Sequence, residues 1–335
     1  MFSSIKTGQL LFTSTYFCKT ISQLNFLKKH SFLKYKKPFL LHWVFFFCLA
    51  INLHASPLKT STKDTAVRST QQEAIAFIDQ FTVLAASPWW PKIKPALFLK
   101  NLKINIHEPL SIYPGKGTNF CGYGALTYLF LQDDPLGYAK LLLDLFQNGT
   151  ASFRNTFFDP SPAIKQQAGQ LKYKGVLDIN PAEQMWYLTL ADHYKGYLNM
   201  FNRPYDPGDE NRFWASVNFA KFNRMVSQLL NYKSQSKGAD LMRPVITDLF
   251  TYISERMKTG TVALFINNRI VHKKNHVKLK LGVPTHFIIA EKISIENDVI
   301  TLMYWDYGRK TQIQLSSAFF KRIVFGITYF TKNEK

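Results

Sequence analysis

Three side chains of this sequence are of the types needed for nucleophilic catalysis. Cys121, His286 and Asp306 follow one another in that order along the chain. A thiolate can attack a carbonyl carbon, an imidazole can take up and return the proton, and a carboxylate can orient the imidazole. Together they would support acyl transfer through a thioester, provided that the fold brings the three side chains together.

The sequence around Cys121 predicts the start of a helix. Residues 117–126 read GTNFCGYGAL, and an apolar pattern continues to about Leu131. With Asn119 as the N-cap, Cys121 takes the second helical position, where the positive end of the helix dipole favours the thiolate. Taken alone, such a cysteine is more often a small buried core residue.

His286 and Asp306 are predicted to lie on neighbouring strands. His286 opens the apolar run His286–Ile295, and Asp306 closes the run Val299–Asp306. Because the connection between these runs is short, they should pair as an antiparallel hairpin. The histidine and the aspartate then lie at the same end of the pair, where their side chains can converge.

The elements that must position these residues fall into two groups, which predict an α+β fold. Apolar residues at helical spacing dominate the first part of the chain, whereas short β-branched and aromatic runs follow Lys258. The predicted helices are Gln71–Ala85, a short one near Ala96–Leu102, Cys121 to about Leu131, one capped by Asp134 and closed by Asn148-Gly149, Pro181–Met200, Arg212–Asn231 and Ala239–Met257. The predicted strands are Val262–Ile266, His286–Ile295, Val299–Asp306, Thr311–Leu315 and Arg322–Thr331.

Residues 1–55 are predicted to be a signal peptide with a basic flank. They contain seven lysines and no acidic residue, and the apolar run FLLHWVFFFCLAINL ends shortly before Ala55-Ser56. As a helix this run would span about 22 Å, less than the ~30 Å hydrocarbon core. A cleaved secretory signal fits best, which predicts export to the periplasm or the medium. An uncleaved N-terminal membrane anchor and a buried helix are the alternatives.

The composition describes an ordinary globular protein once this segment is set aside. The chain has 335 residues and a formal net charge of +20. Hydrophobic residues make up 46% and charged residues 19%, which excludes a disordered chain. Without the seven lysines of residues 1–55, 35 basic residues face 22 acidic ones, and Cys121 is the one cysteine left. We expect residues 56–69 to be a polar linker and residues 70–335 to be the catalytic domain.

The three residues and their elements resemble the papain-like cysteine peptidase superfamily in the broad sense. The segment Cys121-Gly122-Tyr123-Gly124-Ala125 is similar to the Cys-Gly-x-x-Ala segments of bacterial bacteriocin-processing peptidases. The resemblance covers Gly115–Leu131 and Thr261–Gly308. It implies an N-terminal helical half with the cysteine helix and a C-terminal antiparallel sheet with the histidine and aspartate. Residues 150–257 would then be a helical insertion.

The sequence departs from that family at the oxyanion donor. Papain-like enzymes usually have a glutamine about six residues before the cysteine, where this chain has Gly115-Lys116. Asn119 and the backbone N–H of Cys121 are the candidate replacements, with N-capping as the other role for Asn119.

The resemblance implies an exported peptidase or amidase with a Cys-His-Asp triad. An acyltransferase or transglutaminase-like enzyme, in which an amine replaces water, is the first alternative. A catalytically inactive papain-like binding protein is the second, and the missing glutamine is its best support.

We expect no cofactor and no metal. His272 and His276 have a suitable i, i+4 spacing, but no cysteine or carboxylate lies near them in the sequence. The expected partner is a peptide or protein substrate, and the basic segment Arg269–Lys280 could also bind an anionic envelope polymer. Export and the lack of a recognisable module argue against nucleic acid. Membrane contact is expected only through the N-terminal segment.

Overall fold

A computed structural model describes residues 69–115, 117–171, 179–195, 203–267 and 282–332. The predicted signal peptide, nearly all of the predicted linker, and His272 and His276 lie outside these residues. Among the residues that are described, no helix is long and apolar enough to cross a membrane.

Nine α-helices occur in the described residues. In chain order they are α1 (Gln71–Asp79), α2 (Pro95–His107), α3 (Cys121–Asp133), α4 (Pro135–Asn148), α5 (Pro162–Gln167), α6 (Pro181–His193), α7 (Phe219–Leu230), α8 (Leu249–Met257) and α9 (Ser317–Ile323). Two 3-10 turns lie at Pro109–Ser111 and Asp209–Asn211.

The strands form a small hairpin and one larger sheet. In chain order they are β1 (Ala151–Phe153), β2 (Thr156–Phe158), β3 (Tyr232–Gly238), β4 (Thr261–Ile266), β5 (His286–Glu296), β6 (Val299–Asp306), β7 (Arg309–Ser316) and β8 (Val324–Lys332). β1 and β2 pair with each other, and the six others form a sheet in the order β3-β8-β4-β5-β6-β7. All of these pairings are antiparallel. The predicted α+β class with an antiparallel sheet is therefore confirmed.

The larger sheet buries apolar side chains on both faces because its central strands alternate between two cores. Phe265, Phe287 and Trp305 join the helical core, which includes α3, α4 and α6. Leu264 and Ile288 point to the opposite face and pack with residues of α8 and α9. A strand that is covered on both sides reads as a continuous apolar run, which is the pattern of β4 and of the first half of β5.

Helix α3 lies within the helical core, and 12 of its 13 residues are buried. Its Tyr128 ring stacks on Trp305 of β6, with ring centroids 5.0 Å apart and an interplanar angle of 6°. On the helical side, Trp186 of α6 donates its indole N–H to the Thr127 hydroxyl at 3.0 Å. The helix that begins at the cysteine is thus fixed between α6 and the sheet.

Several predicted helix ends are confirmed, because local capping determines them. The Asp134 side chain accepts the Gly137 N–H at the start of α4, and Gly149 ends α4 with a φ of 71°. Two other predicted starts are wrong. α7 begins at Phe219 rather than Arg212, since Asn218 caps it, and α8 begins at Leu249 rather than Ala239, since Asp248 caps it.

Residues 150–257, predicted to be a helical insertion, contain strands as well as helices. The stretch includes the β1–β2 hairpin, and β3 pairs along its whole length with β8 at the edge of the main sheet. The sequence of β3, YKSQSKG, has no apolar alternation because an edge strand can be held by backbone hydrogen bonds alone. The predicted strand Arg322–Thr331 begins only at Val324, because helix α9, which Ser316 caps at its start, continues to Ile323.

Candidate active site

The cysteine helix begins at Cys121, with Phe120 as its N-cap residue. The prediction that Asn119 caps this helix is therefore wrong. The Asn119 side chain instead donates its amide to the Arg212 carbonyl at 2.8 Å, and its backbone N–H donates to the Glu210 carbonyl at 2.7 Å. The amide prefers these bonds because the 203–218 loop lies directly against residue 119. Sequence patterns do not reveal that contact, since the two segments are about ninety positions apart.

The loop that contacts Asn119 is held in place by a buried carboxylate. Asp209 is fully buried and accepts hydrogen bonds from the Arg203 guanidinium at 2.6 Å and the Asp206 N–H at 2.8 Å. A buried carboxylate is tolerated when it is paired and hydrogen-bonded in this way. The acidic turn therefore fixes the position of the chain that flanks the cysteine.

Several backbone N–H groups are available at the start of α3. The first backbone hydrogen bond of the helix runs from the Gly124 N–H to the Phe120 carbonyl at 2.9 Å. The N–H groups of Cys121, Gly122 and Tyr123 precede it and point out of the helix N-terminus. Their partial positive charge lies beside the thiol, where an anion or a developing oxyanion would be stabilised.

The thiol of Cys121 contacts the segment that enters β5. It is a free thiol with 9% of the residue exposed, and its Sγ donates to the Thr285 carbonyl at 3.7 Å. Thr285 directly precedes His286, so the start of α3 and the start of β5 meet. The contact joins the helical part of the fold to the sheet at the residues predicted for catalysis.

His286 and Asp306 form a buried hydrogen bond, as their positions on the two strands predict. The His286 Nε2 lies 2.6 Å from Asp306 Oδ1, and the two residues are 3% and 2% exposed. The pairing of Ile289 with Trp305 places both at the same end of the β5–β6 hairpin. Because Nε2 is engaged by the carboxylate, Nδ1 is the ring nitrogen that remains for the thiol.

The environment of His286 favours its protonated form. Burial alone lowers the pKa of the imidazole, but the hydrogen bond with Asp306 and a hydrogen bond with the Cys121 side chain act in the opposite direction. The charges of the same two residues add to this effect, and the pKa rises to about 10. The balance of these interactions favours the imidazolium at neutral pH, hydrogen-bonded to the Asp306 carboxylate.

Tyr307, which the sequence did not single out, covers the histidine. Its ring stacks on the His286 ring, with centroids 4.7 Å apart and an interplanar angle of 14°, and the Tyr113 ring lies 6.4 Å from it. Tyr307 has a φ of 43°, a left-handed conformation that is strained for a bulky residue. The pair Tyr307-Gly308 reads as an ordinary turn, and the one available signal was its position directly after Asp306.

A buried lysine is the second feature that the sequence analysis missed. Lys221 of α7 donates its ammonium to the Tyr123 hydroxyl at 2.7 Å and to the Ser216 carbonyl at 3.4 Å. Burial, followed by the nearby charge of Arg224, lowers the pKa of Lys221 to about 7. Since Tyr123 lies two residues after Cys121, this contact ties α7 to the first turn of the cysteine helix.

Comparisons with protein-family models, with curated proteins and with solved structures give no match. Within the described part of the chain, no group of three or more metal-binding side chains is found.

Proposed function

We propose that the chain is a cysteine-type hydrolase that cleaves a peptide or amide bond. One observation carries this proposal. The buried 2.6 Å contact between His286 and Asp306 lies next to Cys121, at the start of a buried helix, and the Cys121 side chain raises the pKa of the same imidazole. Nucleophile, base and orienting group then have the arrangement that thioester chemistry needs.

The proposed reaction has two halves. The Cys121 thiolate, formed when His286 holds the proton, attacks the carbonyl carbon and forms a C–S bond. When the tetrahedral intermediate collapses, the C–N bond breaks and His286 gives its proton to the leaving amine. In the second half His286 takes a proton from water, the hydroxide attacks the thioester, and the carboxylic acid and the thiolate are released.

The oxyanion of the intermediate needs hydrogen-bond donors near the sulfur. The N–H groups at the start of α3 supply them, because they precede the hydrogen-bonded ladder of the helix. Asn119 donates one amide hydrogen to Arg212, and we propose that its second amide hydrogen faces the substrate.

The family relationship and the location belong to the same proposal. A buried cysteine helix packed on an antiparallel sheet with the histidine and aspartate supports a papain-like arrangement. The basic and apolar pattern of residues 1–55 supports export with cleavage of this segment. In this proposal the backbone N–H groups at the start of α3 replace the missing upstream glutamine as donors to the oxyanion.

Site-specific labelling tests the proposal. The full chain carrying Cys18→Ser and Cys48→Ser is treated with an epoxysuccinyl probe, and the modified residue is identified by peptide mapping. We expect labelling at Cys121 and hydrolysis within a fluorogenic peptide library, with both lost in Cys121→Ala and His286→Ala. A chain that folds but shows neither labelling nor hydrolysis is the inactive binding protein and contradicts the proposal.

Adding a primary amine to the same assay separates hydrolysis from acyl transfer. The expected product is the free carboxylic acid, formed at a rate that the amine does not change. Amide formation with the added amine as the main reaction would favour the acyltransferase.

A further inference from the structure

The loop between β3 and α8, residues 239–248, exposes large apolar side chains; we call it the apolar loop. Leu241, Met242 and Val245 are 73%, 70% and 103% exposed. In the described ranges no other stretch of five residues exposes three large apolar side chains. Single exposed apolar residues need no explanation, but a group of them on an ordered surface marks a contact site.

The apolar loop is held by its own hydrogen bonds rather than hanging free. The Ala239 N–H donates to the Met242 carbonyl at 2.9 Å and to the Phe325 carbonyl at 3.2 Å. The Arg243 side chain donates to the Arg322 carbonyl at 2.8 Å, and its guanidinium lies 4.3 Å from the centre of the Phe325 ring. The backbone is therefore fixed while the three apolar side chains point into solvent.

Basic side chains surround the apolar loop. Two exposed cations, Lys237 and Arg243, lie just before the loop and within it, and the Arg322 carbonyl, which accepts the Arg243 hydrogen bond, brings exposed Arg322 and its chain neighbour Lys321 to the same surface. The loop also has two carboxylates: Asp240 accepts the Phe219 N–H at 2.7 Å, and Asp248, which caps α8, is exposed. With four cations against two carboxylates, the surface around the apolar group has an excess of positive charge.

Other exposed apolar residues lack this combination. Val83 and Phe157 are each isolated, since no second large exposed apolar side chain lies within five positions of either residue. Apolar side chains within a basic rim are what an anionic lipid surface attracts, because the apolar groups enter the headgroup boundary while the cations meet the lipid phosphates.

We propose that the apolar loop binds the protein to the surface of an anionic membrane. The loop follows Gly238, which pairs with Gly326 near the start of β8, and Ile266 joins that same end of the sheet to His286. Membrane binding would thus hold the end of the sheet that carries the candidate active site close to the lipid surface. This inference does not rest on the proposed function. It gives the protein a membrane contact separate from the one expected of the N-terminal segment.

A fluorophore on the loop tests the proposal in the full chain. Cys18, Cys48 and Cys121 are replaced by Ser, and Met242→Cys is labelled with nitrobenzoxadiazole; Val83→Cys is the matched control. Vesicles of phosphatidylcholine alone are compared with vesicles that contain about 30% phosphatidylglycerol. We expect the label at position 242 to shift to the blue and to brighten about threefold only with the anionic vesicles, and the control label to stay unchanged.

Vesicle sedimentation provides the second measurement. Combining Leu241→Ser, Met242→Ser and Val245→Ser should weaken binding at least about tenfold, and Lys321→Gln with Arg322→Gln should weaken it chiefly at low salt. Combining Val83→Ser and Phe157→Ser should leave binding unchanged. The proposal is overturned if the label at position 242 responds equally to neutral vesicles, if it does not respond while the chain sediments, or if it shifts with protein concentration alone, which would indicate a second copy of the chain.

Discussion

At the scale of single residues, the protonation of His286 depends on two neighbours from different parts of the chain. Burial disfavours the imidazolium, while Asp306 and Cys121 both favour it, and the balance raises the pKa to about 10. His286 thus enters the proposed reaction as the acid that the leaving amine needs. Since the folded chain holds this proton more tightly than an unfolded one, the bond stabilises the fold fully below about pH 6.5 and loses this effect as the pH rises towards 10.

Asp306→Asn tests the contribution of the carboxylate. The variant keeps a hydrogen-bonding side chain but loses the negative charge, so the pKa of His286 should fall. The alkaline limb of the pH–rate profile, expected near pH 10 in the wild type, should move to lower pH, and kcat/KM should drop by about 10²–10⁴-fold. Asp298→Asn, in the β5–β6 turn, is the matched control and should behave as the wild type.

Tyr307 provides a second test at this scale. If its ring shields the His286–Asp306 bond from water, Tyr307→Phe should keep activity within about threefold, whereas Tyr307→Ala should lose roughly tenfold or more. The comparison requires kcat/KM and melting temperatures for both variants. An equal loss in both variants would show that the hydroxyl, rather than the stacked ring, is the active feature.

At the scale of elements, caps and apolar runs in the sequence correctly predicted the helix ends and strands that local interactions determine. The α4 boundaries follow from Asp134 and Gly149, and the β5 and β6 runs follow from their apolar residues. The bond between His286 and Asp306 was predictable because a short hairpin fixes which strand ends meet. The docking of Asn119 on Arg212 and the pairing of β3 with β8 were not, because each depends on a partner about ninety positions away.

The contact between α7 and α3 leads to a prediction about stability. The pKa of Lys221 is about 7 in the folded chain, below its ordinary 10.5, so the folded state binds this proton less tightly than the unfolded state. The buried charge of Lys221 therefore destabilises the folded state fully below about pH 7, and this destabilisation disappears as the pH rises towards 10.5. Lys221→Met should therefore raise the free energy of unfolding by roughly 1 kcal/mol at pH 6. The rise in the free energy of unfolding that Lys221 gives the wild type between pH 7 and 10 should be absent from the variant.

Urea unfolding of wild type and Lys221→Met at several pH values measures this effect. Lys237→Met, on the exposed edge strand, is the control that changes the same charge without burial. If the difference between wild type and Lys221→Met does not vary with pH, the lysine is charged equally in both states and the prediction fails.

At the scale of the whole molecule, the position of the site follows from how the sheet is covered. One face packs on the helical core that contains α3, and the other packs on α8 and α9. The start of the cysteine helix and the start of β5 meet at the edge of the first of these two layers. The composition predicted that the chain has a large hydrophobic core. It did not predict the contact between the start of α3 and the start of β5, which depends on the sheet order and on the 203–218 loop.

The pH dependence of Cys121 alkylation shows whether Cys121, His286 and Asp306 act as one unit. In chains with Cys18→Ser and Cys48→Ser, the iodoacetamide reaction at Cys121 is followed by mass spectrometry from pH 5 to 10. At pH 6 we expect the wild type to react at least about tenfold faster than His286→Gln, because the imidazolium stabilises the thiolate. Identical rate profiles for the two proteins would contradict it.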